Sequence, residues 1–366
     1  MPRRVGGLWP RLVGFPNLLL AHRKARRGKR ERPAVIAFEF ELERNLVRLQ
    51  NQLAQRTYRP GLYRTFTIRE PKPRLISAAP YRDRVVHHAL MNVLEPVLDA
   101  RLSPDSFACR RGRGTHACLD RYTRYARRYE FVWHGDISRF YASLDHEIVR
   151  RALSRVLKDD RVLELLKAII DAGPDQDVPM TWFPGDDLFT PLMRRRGLPI
   201  GNLTSQWLAN LYLDPLDRFV RQILRAPGYL RYCDDFCVFG NDRSRIKAQV
   251  AETHDFLVER LRLELNPRHL DVQRTGQGVT FLGMRMFPHR RRIAPASLAR
   301  SVRRLRRRLA RSGRVLDARG RLAAAMPWIA HLAHADTWGL RARVLTRLCA
   351  HQQAQSPKNP ERFARE

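Results

Sequence analysis

Apolar side chains recur along the chain at two spacings, and each spacing predicts a different kind of element. Leucines three and four residues apart between Phe38 and Leu53 predict an amphipathic helix that ends near Gly61. The alternation of side chains from Tyr63 to Ile68 predicts a strand. Further helical patterns cover residues 84–98, 146–172, 203–224 and 244–263. The chain is therefore predicted to mix helices with short strands.

Short apolar stretches bordered by turns predict a sheet in the middle of the chain. Phe131–Trp133 is predicted to be a buried strand, and residues 229–240 and 279–287 are predicted to form β-hairpins. Asp145 is placed to cap the helix that follows it. Residues 173–195 are rich in Pro, Gly and Asp, which predicts an insertion loop.

Changes in composition divide the chain into three predicted domains. Residues 1–55 combine a basic arm with a helix, and residues 56–288 contain the strands and most of the helices. Residues 289–366 are predicted to be a helical, Arg-rich module with a polar tail. Between residues 290 and 347 there are 16 Arg and only 2 Asp, so this module is expected to present a basic face.

Charge is the property of this 366-residue chain that most restricts its partners. Its 69 Lys and Arg, of which 62 are Arg, outnumber 36 Asp and Glu and give a net charge of +33. Such a surface binds polyanions, and the planar guanidinium fork suits phosphate, so nucleic acid is the predicted partner. A hydrophobic fraction of 44% excludes disorder throughout. No apolar run approaches about 18 residues, so no membrane association through a spanning helix is expected.

The cysteines predict neither a zinc site nor a disulfide framework. There are five of them, spread along the chain without a CxxC pair. This usage is typical of a protein in a reducing compartment, and a cytoplasmic location is the expectation.

Three acids are placed where their charges need a partner. Asp234 and Asp235 are adjacent between two apolar stretches predicted to pair, and Asp136 ends another apolar strand. Carboxylates brought together in this way repel each other unless a cation neutralises them. Mg²⁺ takes a few carboxylates together with substrate phosphates, and two such ions can stabilise the attacking and leaving oxygens of an in-line displacement. The acids therefore predict a metal-dependent site.

A series of short motifs surrounds these acids in the order found in reverse transcriptases. In chain order they are Lys72-Pro73-Arg74, Arg82-Asp83-Arg84-Val85, Ser106 to Gly112, Asp136 to Tyr141, Gly197 to Gln206, Tyr232-Cys233-Asp234-Asp235, Leu265-Asn266-Pro267 and Phe281-Leu282-Gly283. Over about residues 55–290 the chain thus resembles a reverse transcriptase. The resemblance implies an α+β right-hand polymerase, with fingers and an antiparallel palm sheet in 56–288 and a helical basic thumb in 289–366.

The same resemblance implies roles for individual residues. Asp136, Asp234 and Asp235 would be catalytic and, with the backbone carbonyl of Ile137, would hold two Mg²⁺ ions, for which Mn²⁺ can substitute. The residues implied to bind the incoming nucleotide are Lys72, Arg74, Tyr141, Ile200, Gly201 and Gln206. The ring of Tyr141 would clash with a ribose hydroxyl and so favour dNTPs. Those expected to contact the template or primer are Arg110, Arg111 and Arg113, while the thumb would follow the RNA–DNA heteroduplex.

One departure from the usual motif points to a branch of the family. Most reverse transcriptases carry Gln where this chain has Ile200, and Ser-Pro where it has Ser205-Gln206. The pattern found here resembles the reverse transcriptases of diversity-generating retroelements. That resemblance implies error-prone copying of a template RNA, chiefly opposite adenine, to diversify a target gene. It also implies an accessory variability protein as a partner.

Two other interpretations are compatible with the sequence. An ordinary reverse transcriptase of the group II intron or defence type would copy RNA without directed errors, and would be expected to keep Gln at position 200. A non-catalytic RNA-binding protein on the same scaffold would need the basic surface but not the three acids.

Overall fold

The chain forms two compact units in the computed structural model, which describes residues 3–69, 73–174, 178–311 and 318–350. The first unit takes its described residues from Met1–Gly114, Trp133–Val238 and Asp242–Asp271. The second takes them from Thr115–Val132, Phe239–Asn241 and Val272–Glu366. The domain boundaries predicted after residues 55 and 288 follow composition, and they stay a prediction.

Helices account for most of the described residues. In chain order they are α1 (Trp9–Val13), α2 (Phe15–Ala25), α3 (Pro33–Phe40), α4 (Leu42–Ala54), α5 (Tyr81–Asp99), α6 (Thr115–Arg128), α7 (Phe140–Ser143), α8 (His146–Val156), α9 (Asp160–Asp171), α10 (Thr190–Met193), α11 (Leu203–Arg218), α12 (Arg243–Leu261), α13 (Pro295–Arg311), α14 (Ala318–Leu332) and α15 (Trp338–Ala350). A π-helical turn, Phe219–Ile223, continues α11. The predicted cap of α8 is confirmed, because the carboxylate of Asp145 accepts hydrogen bonds from the backbone of Glu147 and Ile148.

Two of the predicted helices are broken in the structure. Glu41 leaves the helical conformation, with φ −123° and ψ 49°, and this separates α3 from α4. Residues 157–159 separate α8 from α9, because the backbone of Leu157 forms a parallel bridge with Val5. The apolar spacing continues across both breaks, so periodicity alone predicted uninterrupted helices.

The strands are short, and all of those predicted are present. In chain order they are β1 (Arg64–Ile68), β2 (Arg74–Ala78), β3 (Phe131–Gly135), β4 (Gly228–Tyr232), β5 (Asp235–Gly240), β6 (Val272–Arg274), β7 (Val279–Phe281), β8 (Met284–Met286) and β9 (Arg291–Ile293). Strands β1 and β2 pair antiparallel, as do β7, β8 and β9. The remaining sheet has the strand order β4-β5-β3-β6. The predicted α+β class, with helices and antiparallel strand pairs, is confirmed.

The second unit has an aromatic cluster and a smaller apolar cluster. The ring of Tyr122 packs edge-on against Phe239 and stacks with Phe281, at centroid distances of 5.0 and 5.4 Å. Leu305 of α13 packs with Trp328 of α14, and this pairing leaves the neighbouring arginines of α13 outside the cluster. None of the helices in the described ranges is long and apolar enough to cross a membrane.

Candidate active site

A tight turn between two buried strands presents a pair of acids. Strand β4 ends at Tyr232, Cys233 adopts a left-handed conformation with φ 56°, and strand β5 begins at Asp235. All of β4 before Tyr232 and all of β5 after Asp235 are buried, whereas Asp234 and Asp235 are half-buried. The turn therefore exposes the carboxylates at one end of a hairpin fixed by its core.

Asp136 reaches the same region from the end of β3. Gly135, the last residue of that strand, must lack a side chain, because a Cβ there would lie 2.4 Å from the ring of Phe236 on β5. Asn266 holds Asp136 twice: its side-chain amide donates to Asp136 Oδ2 at 2.7 Å, and its backbone N–H donates to the Asp136 carbonyl at 2.8 Å. The motif containing Asn266 was recognised in the sequence, but its role as a positioning residue was not.

The electrostatics of the turn reflect the burial of Asp234 and the charges of the two other acids. Burial, followed by the negative charges of Asp235 and then Asp136, raises the pKa of Asp234 to about 7. The guanidinium of Arg74 acts in the opposite direction on the pKa of Asp234. The structure thus brings the three predicted acids and Arg74 within electrostatic reach of one another.

His134 is a contact that the sequence did not reveal. Its Nε2 lies 2.9 Å from Asp235 Oδ1, a distance at which the ring N–H donates to the carboxylate. The ring of His269 packs edge-on against His134 at 4.9 Å between centroids. Both histidines looked isolated in the sequence, because 135 positions separate them and nothing around either predicts a partner.

A buried ionic network contacts strand β4 and the turn that follows it. Arg231 and Asp217 are both fully buried and form a bidentate pair, with two N···O distances of 2.7 Å. The hydroxyl of Tyr229 donates to the same carboxylate at 2.7 Å. Arg231 also donates to the side-chain carbonyl of Asn210 and to the backbone carbonyl of Cys233, at 3.1 and 3.0 Å. This network fixes the backbone immediately before Asp234.

Three of the predicted nucleotide-binding residues, Arg74, Ile200 and Gly201, lie on two connected segments that form a wall beside the acids. The backbone N–H of Ser77 on β2 donates to the carbonyl of Ile200 at 3.0 Å, so the strand that begins at Arg74 is joined to the Ile200-Gly201 segment. Gly201 has φ 118°, and a Cβ at this position would approach Ile76 to 3.3 Å. Gln206 is half-buried on α11. Lys72 lies outside the described residues.

Tyr141 is part of the same wall. It lies on α7, and its backbone carbonyl accepts a hydrogen bond from Leu198 N at 2.8 Å. Burial raises the pKa of its hydroxyl, which also shares a hydrogen bond with the Cys233 thiol. These contacts place Tyr141 next to the acidic turn, and its sugar-discriminating role stays a prediction.

The backbone of Ile137 takes part in a short antiparallel pair, and its predicted ligand role stays a prediction. Ile137 forms an antiparallel bridge with Leu265, and the hydrogen bonds on either side of it involve Asp136 and Ser138. In such a pair the carbonyl of the central residue points away from the partner segment. The carbonyl of Ile137 therefore points away from the segment that contains Leu265.

The three arginines predicted to contact template have unequal positions. Arg110 is buried, and its guanidinium donates to Asp99 Oδ1 at 2.6 Å and to the carbonyls of Ser103 and Ser106. Arg110 is therefore a structural residue in this arrangement, and the predicted template contact does not fit it. Arg111 is exposed, and Arg113 donates to the carbonyl of Pro104. For these two the template contact stays a prediction.

The donor set suits a hard divalent cation. Carboxylate and carbonyl oxygens are the ligands that Mg²⁺ prefers, and a bound cation would offset the burial and the neighbouring charges that raise the pKa of Asp234. Within the described ranges, no three His, Cys, Asp or Glu side chains form a ready-made metal-binding group. Mg²⁺ does not require one, because it is usually bound through one or two carboxylates while water and substrate phosphates complete its shell.

Comparisons with known proteins find one family model and several more distant relatives. The family model for reverse transcriptase (RNA-dependent DNA polymerase) matches residues 68–286. Protein YkfC of Escherichia coli is 24% identical across 60% of this chain and 65% of its own length. Nuclear intron maturase 1, mitochondrial, of Arabidopsis thaliana is 34% identical, across 24% of this chain and 12% of its own length.

Two further similarities involve an intron protein and a solved structure. The group II intron-encoded protein LtrA of Lactococcus lactis is 24% identical across 50% of this chain and 29% of its own length. The chain covers less than two thirds of each of these relatives. The structure of apo telomerase from Candida tropicalis aligns with a TM-score of 0.48 at 12% identity, over 66% of this chain and 50% of that chain.

Proposed function

Because this chain belongs to the reverse transcriptase (RNA-dependent DNA polymerase) family, we propose that it copies an RNA template into DNA. In this reaction the 3′-hydroxyl of a primer attacks the α-phosphate of a dNTP, and pyrophosphate leaves. The observation that carries the proposal is the acidic turn: burial, together with the nearby charges of Asp235 and Asp136, raises the pKa of Asp234 to about 7. A polymerase that transfers nucleotides needs such a concentration of negative charge, while a scaffold that only binds RNA does not.

The three acids are proposed to hold Mg²⁺, together with the carbonyl of Ile137. When bound, Mg²⁺ supplies positive charge to the attacking and leaving oxygens. Asn266 keeps Asp136 in place through two hydrogen bonds, and His134 does the same for Asp235 through one. These residues thus orient the carboxylates before substrate arrives, which lowers the cost of assembling the site.

The wall beside the acids is proposed to hold the incoming nucleotide. Arg74 lies at the exposed start of β2, where its guanidinium can reach the triphosphate, and Lys72 nearby in sequence is proposed to assist it. Tyr141 would stack its ring against the sugar and exclude the 2′-hydroxyl of a ribonucleotide. Gly201 leaves room for the backbone to approach the base pair, since any side chain there is strained.

Copying is proposed to be inaccurate opposite template adenine. Ile200 and the Ser205-Gln206 pair support this proposal, because they depart from the usual motif in the way retroelement enzymes do. A branched apolar side chain at position 200 offers no hydrogen bond to the nascent pair. The product would be variant copies of a target sequence, and an accessory protein would be the expected partner.

The first experiment is primer extension on an RNA template with labelled dNTPs. With Mg²⁺ present, the protein is expected to extend the primer, and chelation by EDTA should stop extension. The control substitution is Asp120→Asn, an exposed acid of the second unit outside the three-acid set, which should leave extension unchanged. Tight RNA binding without any extension, in Mg²⁺ or Mn²⁺, would instead support the non-catalytic interpretation.

A further inference from the structure

Two cysteines meet beside the acidic turn. Cys109 is exposed, Cys233 is half-buried, and neither forms a disulfide in the structure. Their thiols share a hydrogen bond. Because Cys233 immediately precedes Asp234, any change in the sulfur pair is transmitted directly to a proposed metal ligand.

The backbone brings these cysteines together independently of their side chains. Ser106 and Arg231 form a parallel bridge, in which Phe107 N donates to the Arg231 carbonyl at 2.9 Å. Cys109 follows Ser106 by three residues, and Cys233 follows Arg231 by two. The bridge therefore brings the two segments that carry the cysteines alongside each other.

One buried network contacts both backbone segments. The side-chain amide of Asn210 donates to the carbonyl of Ala108, next to Cys109, at 2.9 Å. Arg231 Nη1 donates to the side-chain carbonyl of the same Asn210 and to the carbonyl of Cys233. Asn210 and Arg231 thus link the backbone next to Cys109 with the backbone of Cys233.

We propose that Cys109 and Cys233 are an oxidative modification site, at which a low-molecular-weight disulfide such as oxidised glutathione forms a reversible Cys109–Cys233 bond that inactivates the enzyme. Cys109 attacks the small disulfide (RSSR), and one RS⁻ leaves. Cys233 then attacks the Cys109 sulfur of the mixed disulfide and expels the second RS⁻. Both leaving groups take up the protons lost by the two thiols, so two cysteines are oxidised and one RSSR becomes two RSH.

The two cysteines differ in a way that sets the order of these steps. Cys109 is exposed and can meet a small disulfide, while Cys233 is partly covered and acts second. The hydrogen bond from the Cys233 thiol lowers the pKa of Cys109, which favours Cys109 as the first nucleophile.

The expected loss of activity follows from geometry, and this part rests on the proposed function. A disulfide of about 2.05 Å is shorter than the contact between two hydrogen-bonded thiols, so closing it displaces the turn by about an ångström. Displacements of this size in an active site cost about 10²-fold in rate. The bond also removes the thiol that the hydroxyl of Tyr141 contacts.

The test oxidises the full-length protein with glutathione disulfide and reads two quantities. Peptide mapping without reductant should show the peptides of Cys109 and Cys233 linked, with a mass about 2 Da below their sum. Extension of a primer on RNA should fall about 10²-fold and return on reduction. Cys109→Ser should keep its own activity through oxidation, whereas Cys237→Ala, which removes a buried cysteine of β5, should respond like the parent.

Three other results would each contradict one part of the account: the disulfide, the inactivation or the proposed function. Stable glutathione on Cys109 without a linked Cys233 peptide would overturn the disulfide. Linked peptides with unchanged extension would overturn the inactivation. A reduced protein that never extends a primer would contradict the proposed function, and the peptide map would still decide whether the modification site exists.

Discussion

The two hairpins that bring charge to the proposed nucleotide site differ in how much of each is buried. Hairpin β4–β5, which carries Asp234 and Asp235, is buried on both strands up to its turn. Hairpin β1–β2, which carries Arg74, has every residue of β1 exposed and becomes buried only at Ser77. Hairpin β4–β5 is therefore part of the core. Hairpin β1–β2 is mostly exposed and is buried only near the end of β2.

This difference in burial matches the proposed roles of the acids on β4–β5 and of Arg74 on β1–β2. Metal ligands must be held within a fraction of an ångström, and the buried pair of Arg231 and Asp217 supplies that support. An arginine that binds a triphosphate can adjust to its ligand, and exposed strands with few buried contacts have low local stability. Substitutions in the first hairpin should therefore cost stability, and those in the second should cost substrate binding.

Arg231→Ala should have the largest effect on the fold. The substitution leaves the carboxylate of Asp217 buried without its partner, which typically costs about 3–5 kcal/mol of unfolding free energy. Chemical denaturation measures this loss. The matched control is Arg151→Ala, which breaks an exposed pair with Glu147 and should cost about 1 kcal/mol or less. Equal losses in the two variants would mean that the buried network is not the support we describe.

Arg74→Ala should weaken nucleotide binding while leaving the fold intact. Removing a charge-assisted hydrogen bond costs about 1.5–3 kcal/mol, so the KM for dNTP should rise at least about tenfold with an unchanged melting temperature. Because Arg74 lowers the pKa of Asp234, the acidic limb of the pH–activity profile should also move to higher pH. Arg64→Ala, at the far end of the same exposed hairpin, is the control. A loss of stability in the Arg74 variant would contradict its assigned role.

Ile200→Gln should have the smallest effect, confined to accuracy. The new amide can hydrogen-bond near the nascent pair, and one such bond is worth about 0.5–1.5 kcal/mol, or up to about tenfold in error rate. Sequencing of cDNA from an adenine-rich template should show fewer errors opposite adenine, with the other template bases as an internal control. If the adenine error rate does not change, the proposed mutagenic branch loses its physical basis at this position.

The acids could be predicted from sequence because the signal is local. A strand, a turn with two acids and a second strand occupy twelve consecutive residues around Asp234, and the family motifs fix their order. The support of that turn is not local. Asn210, Asp217 and Arg231 come from α11 and β4, and in the sequence Asp217 looks like an ordinary helical surface acid.

Arg110 and Glu41 illustrate two other limits. In a chain with 62 arginines, the one that is buried against Asp99 looks the same as its exposed neighbours, so Arg110 was predicted to contact template. The apolar periodicity around Glu41 continues across the residue that ends α3, so the break was not visible. Both features depend on tertiary contacts, which a single sequence does not display.

The central claim is that Asp234 serves the polymerase reaction at a cost to stability. Its most direct test is the single substitution Asp234→Asn, assayed for both thermal stability and primer extension. Asp234 has its pKa raised in the folded state, so its charge destabilises the fold above about pH 7, and that cost disappears as pH falls from 7 towards its unfolded value near 4. In the absence of divalent metal, the variant should therefore unfold at an equal or higher temperature than the parent at pH 8. The advantage should vanish near pH 4.

The same variant should fail to extend a primer on RNA with Mg²⁺, while it still binds RNA. An inactive protein that is at least as stable as its parent would show that Asp234 serves chemistry at the expense of the fold. A variant that keeps extending the primer, or that loses activity only because it unfolds, would contradict the account.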